Sequence, residues 1–320
     1  MLPPYSRPVR LAAVDVGSNT VHLLVAEVGG ARPEPVAHFV EMPALGAEVD
    51  RTGRIGPVKT EETIAALRSV IGQAREVGFE HLLAGATEAV RKAEDGADFL
   101  ARASEAIGVP LRLISPQREA ELDFLGVAAR HASRRQWLMG DLGGGSTELV
   151  VARGGRIETW RTLPIGSGVL ASRYLSDPPR PGEREALRKE AVSGLSQAPE
   201  CEPAKLVFTG GTAANLPRIL SPKRPPQVLT TQTLLRAEQT LDSEPAAVLE
   251  GRFRLEPGRV QALRAGVEVL LLLLDWAGQD RLHVSLEGLR QGMLQAYLEK
   301  GEDWWREGTV LVSQAIGRRG

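Results

Sequence analysis

The chain has 320 residues, 42% of them hydrophobic and 25% charged, with a formal net charge of −1. These are the proportions of a globular protein long enough for two domains, and the near-neutral balance argues against a basic surface coat, so a polyanion must be met by local clusters. Cys201 is the only cysteine, which excludes an intrachain disulfide framework and a Cys-ligated zinc cluster and suits a reducing cytoplasm. No membrane span is expected. The apolar run Val267 to Leu274 is interrupted by Glu268 and closed by Asp275, so it reads as a buried helix, and residues 1–16 lack the pattern of a signal peptide.

In chain order, Leu11 to Val14 is an apolar strand, Asp15 to Thr20 a turn, and Val21 to Val28 a second strand. His22 is expected to be a wall or core residue, because no His or Cys stands at ligand spacing from it. Val36 to Leu45 looks like a third strand, and Lys59 to Glu76 carries a helical apolar stripe. His81 to Ala86 is a strand ending at Thr87, which suits the cap of a short helix carrying Arg91. A guanidinium is matched to phosphate oxygens, although on these residues alone a solvated Arg on a helix face is the better explanation of Arg91. Asp98 to Ile107 is a helix and Leu111 to Ile114 a strand. Ser115-Pro116 then reads as a helix start, with Glu119 near its first turn, where the helix dipole favours an acid.

The stretch on which the reading turns is Asp141-Leu142-Gly143-Gly144-Gly145-Ser146-Thr147-Glu148, between the apolar Trp137 to Gly140 and Leu149 to Ala152. A three-glycine turn lets backbone amides close on an anion. Flanking carboxylates would repel a phosphate unless a hard cation lies between, so the octapeptide suggests phosphate with Mg²⁺ or Mn²⁺; a plain glycine hairpin is the alternative. Asp15 to Val28 echoes the pattern, placing Asp15 and Asp141 at equivalent points. Both turns lead into strands rather than helices, which excludes a Walker loop and a Rossmann turn.

Leu149 to Arg153 and Ile157 to Leu163 continue as a hairpin, a helix runs from Ile165-Gly166-Ser167-Gly168 to about Tyr174, and Glu183 to Leu195 is an exposed helix. Lys205 to Phe208 is a strand ending in Thr209-Gly210-Gly211-Thr212. Here a helix, Ala213 to Leu220, does follow, so the amides and helix dipole suit a phosphate. Arg218, Lys223 and Arg224 add positive charge nearby. Arg259 to Trp276 is a long buried helix, Leu282 to Leu286 a strand and Gly288 to Lys300 a helix.

Taken together, DVGSNTVHLLVAEV, ATEAVRKA, ISPQREAE, GDLGGGSTELVVA, FTGGTAANL and VSLEGLRQG resemble the exopolyphosphatase and guanosine pentaphosphate phosphohydrolase family, within the superfamily of actin, sugar kinases and heat-shock chaperone ATPases. The resemblance implies an α/β protein of two ribonuclease-H-like domains with mixed sheets flanked by helices and an active site in the cleft between them. The division expected is 1–124 and 125–299, with the segment from about 300 to 320 packing back on the first domain. It implies a cytoplasmic hydrolase, a homodimer, that removes a terminal phosphate from inorganic polyphosphate or guanosine pentaphosphate with Mg²⁺ or Mn²⁺, and binds neither nucleic acid nor membrane. By the same resemblance Glu119 is the general base, Asp141 positions the water or the metal, and Arg91 neutralises the terminal phosphate. Asp15, Asp141 and Glu148 would be the metal shell. Gly17, Ser18, Asn19, Thr20, Gly143, Gly144, Gly145, Ser146, Thr147, Gly210, Gly211 and Thr212 would cradle phosphates.

Three departures qualify the resemblance. Ala44-Leu45-Gly46 stands where relatives often have Arg-Leu-Gly, Glu88 stands where a small residue is usual, and the C-terminal extension of many relatives is missing, from which a preference for shorter polyphosphate is expected. Polyphosphate and guanosine pentaphosphate are not separated by these residues, and a non-catalytic polyphosphate- or nucleotide-binding regulator is the reading from another class.

Overall fold

The computed structural model describes residues 9–30 and 32–308, and these form two compact units. One comprises the described residues up to Ala129 with those from Glu287 onward; the other is Arg130–Leu286.

In the first unit, β1 (Val9–Val16) and β2 (Val21–Val28) form an antiparallel hairpin extended by β3 (Glu34–Glu41). Strand β3 stops short of the expected Leu45: Ala44 turns left-handed at φ 53°, and α1 (Leu45–Thr52) follows. Helix α2 (Gly56–Val77) covers the sheet with Ile64, Leu67, Val70 and Ile71, a stripe matching helical periodicity. Strand β4 (His81–Ala86) lies parallel to β1, followed by α3 (Glu88–Lys92) and α4 (Gly96–Ile107); β5 (Leu111–Leu113) lies parallel to β4. Helix α5 (Pro116–His131) starts as expected, with Ser115 Oγ accepting from Arg118 N at 3.1 Å.

The second unit repeats this plan. Strands β6 (Ser133–Leu142), β7 (Thr147–Gly154) and β8 (Arg156–Leu163) form an antiparallel meander, followed by α6 (Ser167–Tyr174) and α7 (Glu183–Leu195). Strand β9 (Leu206–Thr209) lies parallel to β6, and α8 (Gly210–Leu220) begins at the glycines themselves. After it come β10 (Val228–Thr230), α9 (Thr231–Asp242) and α10 (Ala246–Phe253), none of which was expected. Helix α11 (Arg259–Trp276) is buried along most of its length, as its sequence requires, and β11 (Arg281–Val284) pairs with β9 and β10. The orders β3-β2-β1-β4-β5 and β8-β7-β6-β9-β11, the latter with β10 added at its edge, are one topology twice. Two mixed sheets flanked by helices are the fold class expected.

Helix α12 (Leu289–Lys300) belongs to the first unit, not the second as its place in the chain suggested. Its glycines are the reason: Gly292 packs on the Leu122 backbone of α5, and Gly288 lies against Gly126 so closely that neither Gly126 nor Gly292 has room for a Cβ. Residues 301–308 also lie in that unit, where the buried Arg118 donates Nε (3.0 Å) and Nη2 (2.5 Å) to Trp304 O. The remainder of the tail, 309–320, lies outside the described residues. Among the described residues no helix is long and apolar enough to cross a membrane.

Candidate active site

The turn between β1 and β2 closes with Gly17 N donating to Thr20 O at 2.9 Å, and Asp15 stands opposite His22 in the ladder. Two backbone amides of the α1 segment hold the turn: Gly46 N donates to Ser18 O (2.6 Å) and Ala44 N to Asn19 O (3.1 Å). In a trans peptide the carbonyl and the next N–H point oppositely, so the Asn19 and Thr20 amides face away from this brace. Gly46 is dictated by the approach, since a Cβ there would stand 2.7 Å from Ser18 Cβ. The missing Arg at position 44 therefore removes a side chain but leaves the backbone brace. Ser18 Oγ donates to Glu88 Oε2 at 3.3 Å, and Lys92 donates to the same carboxylate, so the unexpected acid is held between a hydroxyl and a cation.

Strands β4 and β5 are neighbours, which places their exits at one edge of the sheet. Arg91, in the last turn of α3, and Glu119, in the first turn of α5, meet there: Arg91 Nη1 donates to Glu119 Oε2 at 2.7 Å and to Ile114 O at 2.6 Å. Both side chains are largely buried. Asp141, at the end of β6, belongs to the second sheet.

In the second unit the turn after β6 has the closure of the first, Gly143 N to Ser146 O at 3.0 Å, so the repeated sequence encodes a repeated loop. Here the brace is the start of α6. Ser167 N donates to Gly143 O, and Gly168 N and Val169 N to Gly144 O, all at 2.9 Å, while Thr147 Oγ1 donates to Ile165 O at 2.7 Å. By the same peptide geometry, the Gly144 and Gly145 amides point opposite to the carbonyls that α6 braces.

Asp141 and Glu148 are directly opposed in the β6–β7 register, occupying the positions of Asp15 and His22 in the first hairpin. Glu148 is buried, and its Oε1 accepts from Ser146 Oγ at 2.7 Å. The third glycine segment touches Asp141. Gly210 has φ 87°, and a Cβ there would collide with Asp141 Oδ1 and lie 2.8 Å from Leu142 O. Gly211 leaves room for the buried Arg259, whose Nη1 would be 2.5 Å from a Cβ at Gly211. Thr212 is buried. Arg218 instead ties α8 to the Phe253–Arg254 carbonyls and has a structural use.

A divalent cation fits the Asp141–Glu148 pair, because Mg²⁺ is commonly held by one or two carboxylates with phosphate oxygens and water completing the shell. Among the described residues no group of three or more His, Cys, Asp or Glu could hold an ion, and Asp15, the third carboxylate of the expected shell, belongs to the first unit. Asp15 accepts from Arg290, and burial pushes its carboxyl up more strongly than that guanidinium pulls it down. The His22 ring lies 5.7 Å from that of His38.

Sequence reasoning overlooked Arg290 and Arg259. Each sits in the first turn of a helix, where a cation is disfavoured by the dipole; that misplacement was the available signal.

Residues 24–300 match the model of the Ppx/GppA phosphatase family. Exopolyphosphatase 1 of Mycobacterium bovis is 28% identical over 324 residues, covering 96% of this chain and 92% of the relative. The homologue of that name in Mycobacterium leprae is also 28% identical, over 330 residues, covering 96% and 94%. Among solved structures, the Aquifex aeolicus member of the Ppx/GppA family is 29% identical, with a TM-score of 0.74 over 92% of this chain and 99% of its own.

Proposed function

We propose, from the premise that the chain belongs to the Ppx/GppA phosphatase family, that it is an exopolyphosphatase, releasing the terminal phosphate of inorganic polyphosphate by attack of water. The observation that supports this most is the duplicated loop: turns with the same closure follow Asp15 and Asp141, each braced from one side by a neighbouring helix, so that their amides are placed to bind phosphate oxygens. The relatives named exopolyphosphatase, matched over nearly their whole length, support the same reaction.

In this reading, Glu119 takes the proton of the attacking water as the new oxygen–phosphorus bond forms and the bridging bond breaks. Arg91 aligns that carboxylate and sets positive charge against the terminal phosphoryl oxygens. The Gly17–Thr20, Gly143–Thr147 and Gly210–Thr212 segments bind successive phosphates through amides and hydroxyls. Metal dependence is general in the family. Asp141 and Glu148 would hold the ion, Mg²⁺ or Mn²⁺, which when bound offsets phosphate charge. Positioning and charge neutralisation thus carry the rate, as expected for phosphoryl transfer. The same reading places the protein in the cytoplasm as a homodimer.

The test is phosphate release from polyphosphate of defined lengths, guanosine pentaphosphate and ATP, with and without Mg²⁺, by the wild type and Glu119→Gln. Polyphosphate should be the best substrate, chelation should stop release, and Glu119→Gln should lower kcat by about 10²- to 10⁴-fold. Preferred hydrolysis of guanosine pentaphosphate would overturn the substrate assignment, and an unchanged Glu119→Gln would overturn the base.

A further inference from the structure

The motif VSLEGLRQG contributes nothing to the mechanism above, yet it delivers a cation to the first loop. Arg290 is the second residue of α12, where the helix dipole disfavours positive charge. Its Nη1 donates to Asp15 Oδ2. The other oxygen of the same carboxylate, Oδ1, lies against the Gly17 turn, 3.7 Å from where a Gly17 Cβ would stand. Asp15, directly before the turn, therefore ties the guanidinium to the base of the loop.

Charge neutralisation alone does not explain the arrangement. Arg290 Nε is buried and, among the described residues, donates to no acceptor. An orphaned buried donor is costly unless something fills it, and an oxyanion does so best. The side chain keeps 17% of its surface exposed. An Arg at an unfavourable helix position, gripped from one side beside an anion-binding turn, is arranged to receive negative charge from the other.

We propose that Arg290 is a further phosphate-binding residue of the first unit, held in register with the Gly17–Thr20 loop by Asp15. The inference rests on the exopolyphosphatase reading for its substrate, and it assigns Asp15 the task of orienting Arg290 rather than holding a metal.

The test uses the full chain as wild type, Arg290→Gln, Arg290→Lys and Asp15→Asn. It measures phosphate release from polyphosphate of defined length, tripolyphosphate binding by calorimetry, and thermal unfolding. Arg290→Gln should raise KM and weaken tripolyphosphate binding by about ten- to a hundredfold, with a smaller change in kcat. Arg290→Lys keeps the charge and loses the fork, so it should lie between, and Asp15→Asn should weaken binding in the same direction. Should Arg290→Gln fail to fold, Arg290→Lys decides the matter. Folded Arg290 variants with unchanged KM and tripolyphosphate affinity, whatever their unfolding temperature, would overturn the inference and leave the exopolyphosphatase reading standing. A wild type that releases no phosphate yet binds tripolyphosphate through Arg290 would do the reverse.

Discussion

Gly210→Ala separates the chemistry of the site from the stability of the fold. Gly210 is left-handed at φ 87°, with Leu142 O 2.8 Å from the place a Cβ would occupy and Asp141 Oδ1 nearer still. Left-handed backbone costs a non-glycine residue about 1–2 kcal/mol. The clash adds a second effect, because the added methyl must push the Asp141 carboxylate by about 1 Å to restore ordinary contact, and a displacement of that size in a reacting constellation costs about 10²-fold in rate. Gly278 is the control: it too has positive φ (61°), but nothing lies within 4 Å of its Cβ position. Gly278→Ala should lose about 1–2 kcal/mol in urea unfolding, and Gly210→Ala more than that, because its methyl also meets the Leu142 backbone. Only Gly210→Ala should also lose phosphate release, about 10²-fold in kcat. A Gly210→Ala enzyme with wild-type kcat, or a Gly278→Ala enzyme as impaired as Gly210→Ala, would refute the reasoning.

Arg118→Ala should destabilise the chain by about 3–5 kcal/mol, because it leaves the buried Glu121 carboxylate without its cation, with only the Gln117 and Gly308 donors, and frees the Trp304 carbonyl; urea unfolding measures this, and a loss under about 1 kcal/mol would contradict it. Burial first, then Lys205, His283 and Arg130, hold the His131 imidazole down at about 4, against 6.5 unfolded. The unfolded chain therefore binds the extra proton between pH 6.5 and about 4, so stability should fall as pH falls through that window. Urea midpoints across it should decline less steeply in His131→Gln, and identical slopes would exclude the assignment.

The hairpins around Asp15 and Asp141 were readable because apolar alternation and glycine turns act over a few residues. Ser115-Pro116 marked a helix start for the same reason. The helices between Thr231 and Phe253 were missed although Thr230 and Thr233 form a reciprocal cap, because the signal is short and follows a Pro-rich stretch. The end of β3 was missed because the brace on Ser18 O, which draws Gly46 inward, comes from tertiary packing.

The sequence by itself determined the local chemistry: two aspartate-led anion turns, a third glycine turn at a helix start, an acid in the first turn of α5 and a cation after β4. These depend on backbone freedom, periodicity and capping, all short-range. The tertiary structure decided which groups meet. It joined Arg91 to Glu119, seated Gly210 against Asp141, set α6 behind the second loop, and carried α12 back to the first unit so that Arg290 reaches Asp15. The last contact spans 275 positions of the chain, and no local pattern records it, because it forms only when packing of α12 on α5 repays the entropy of closing so long a loop.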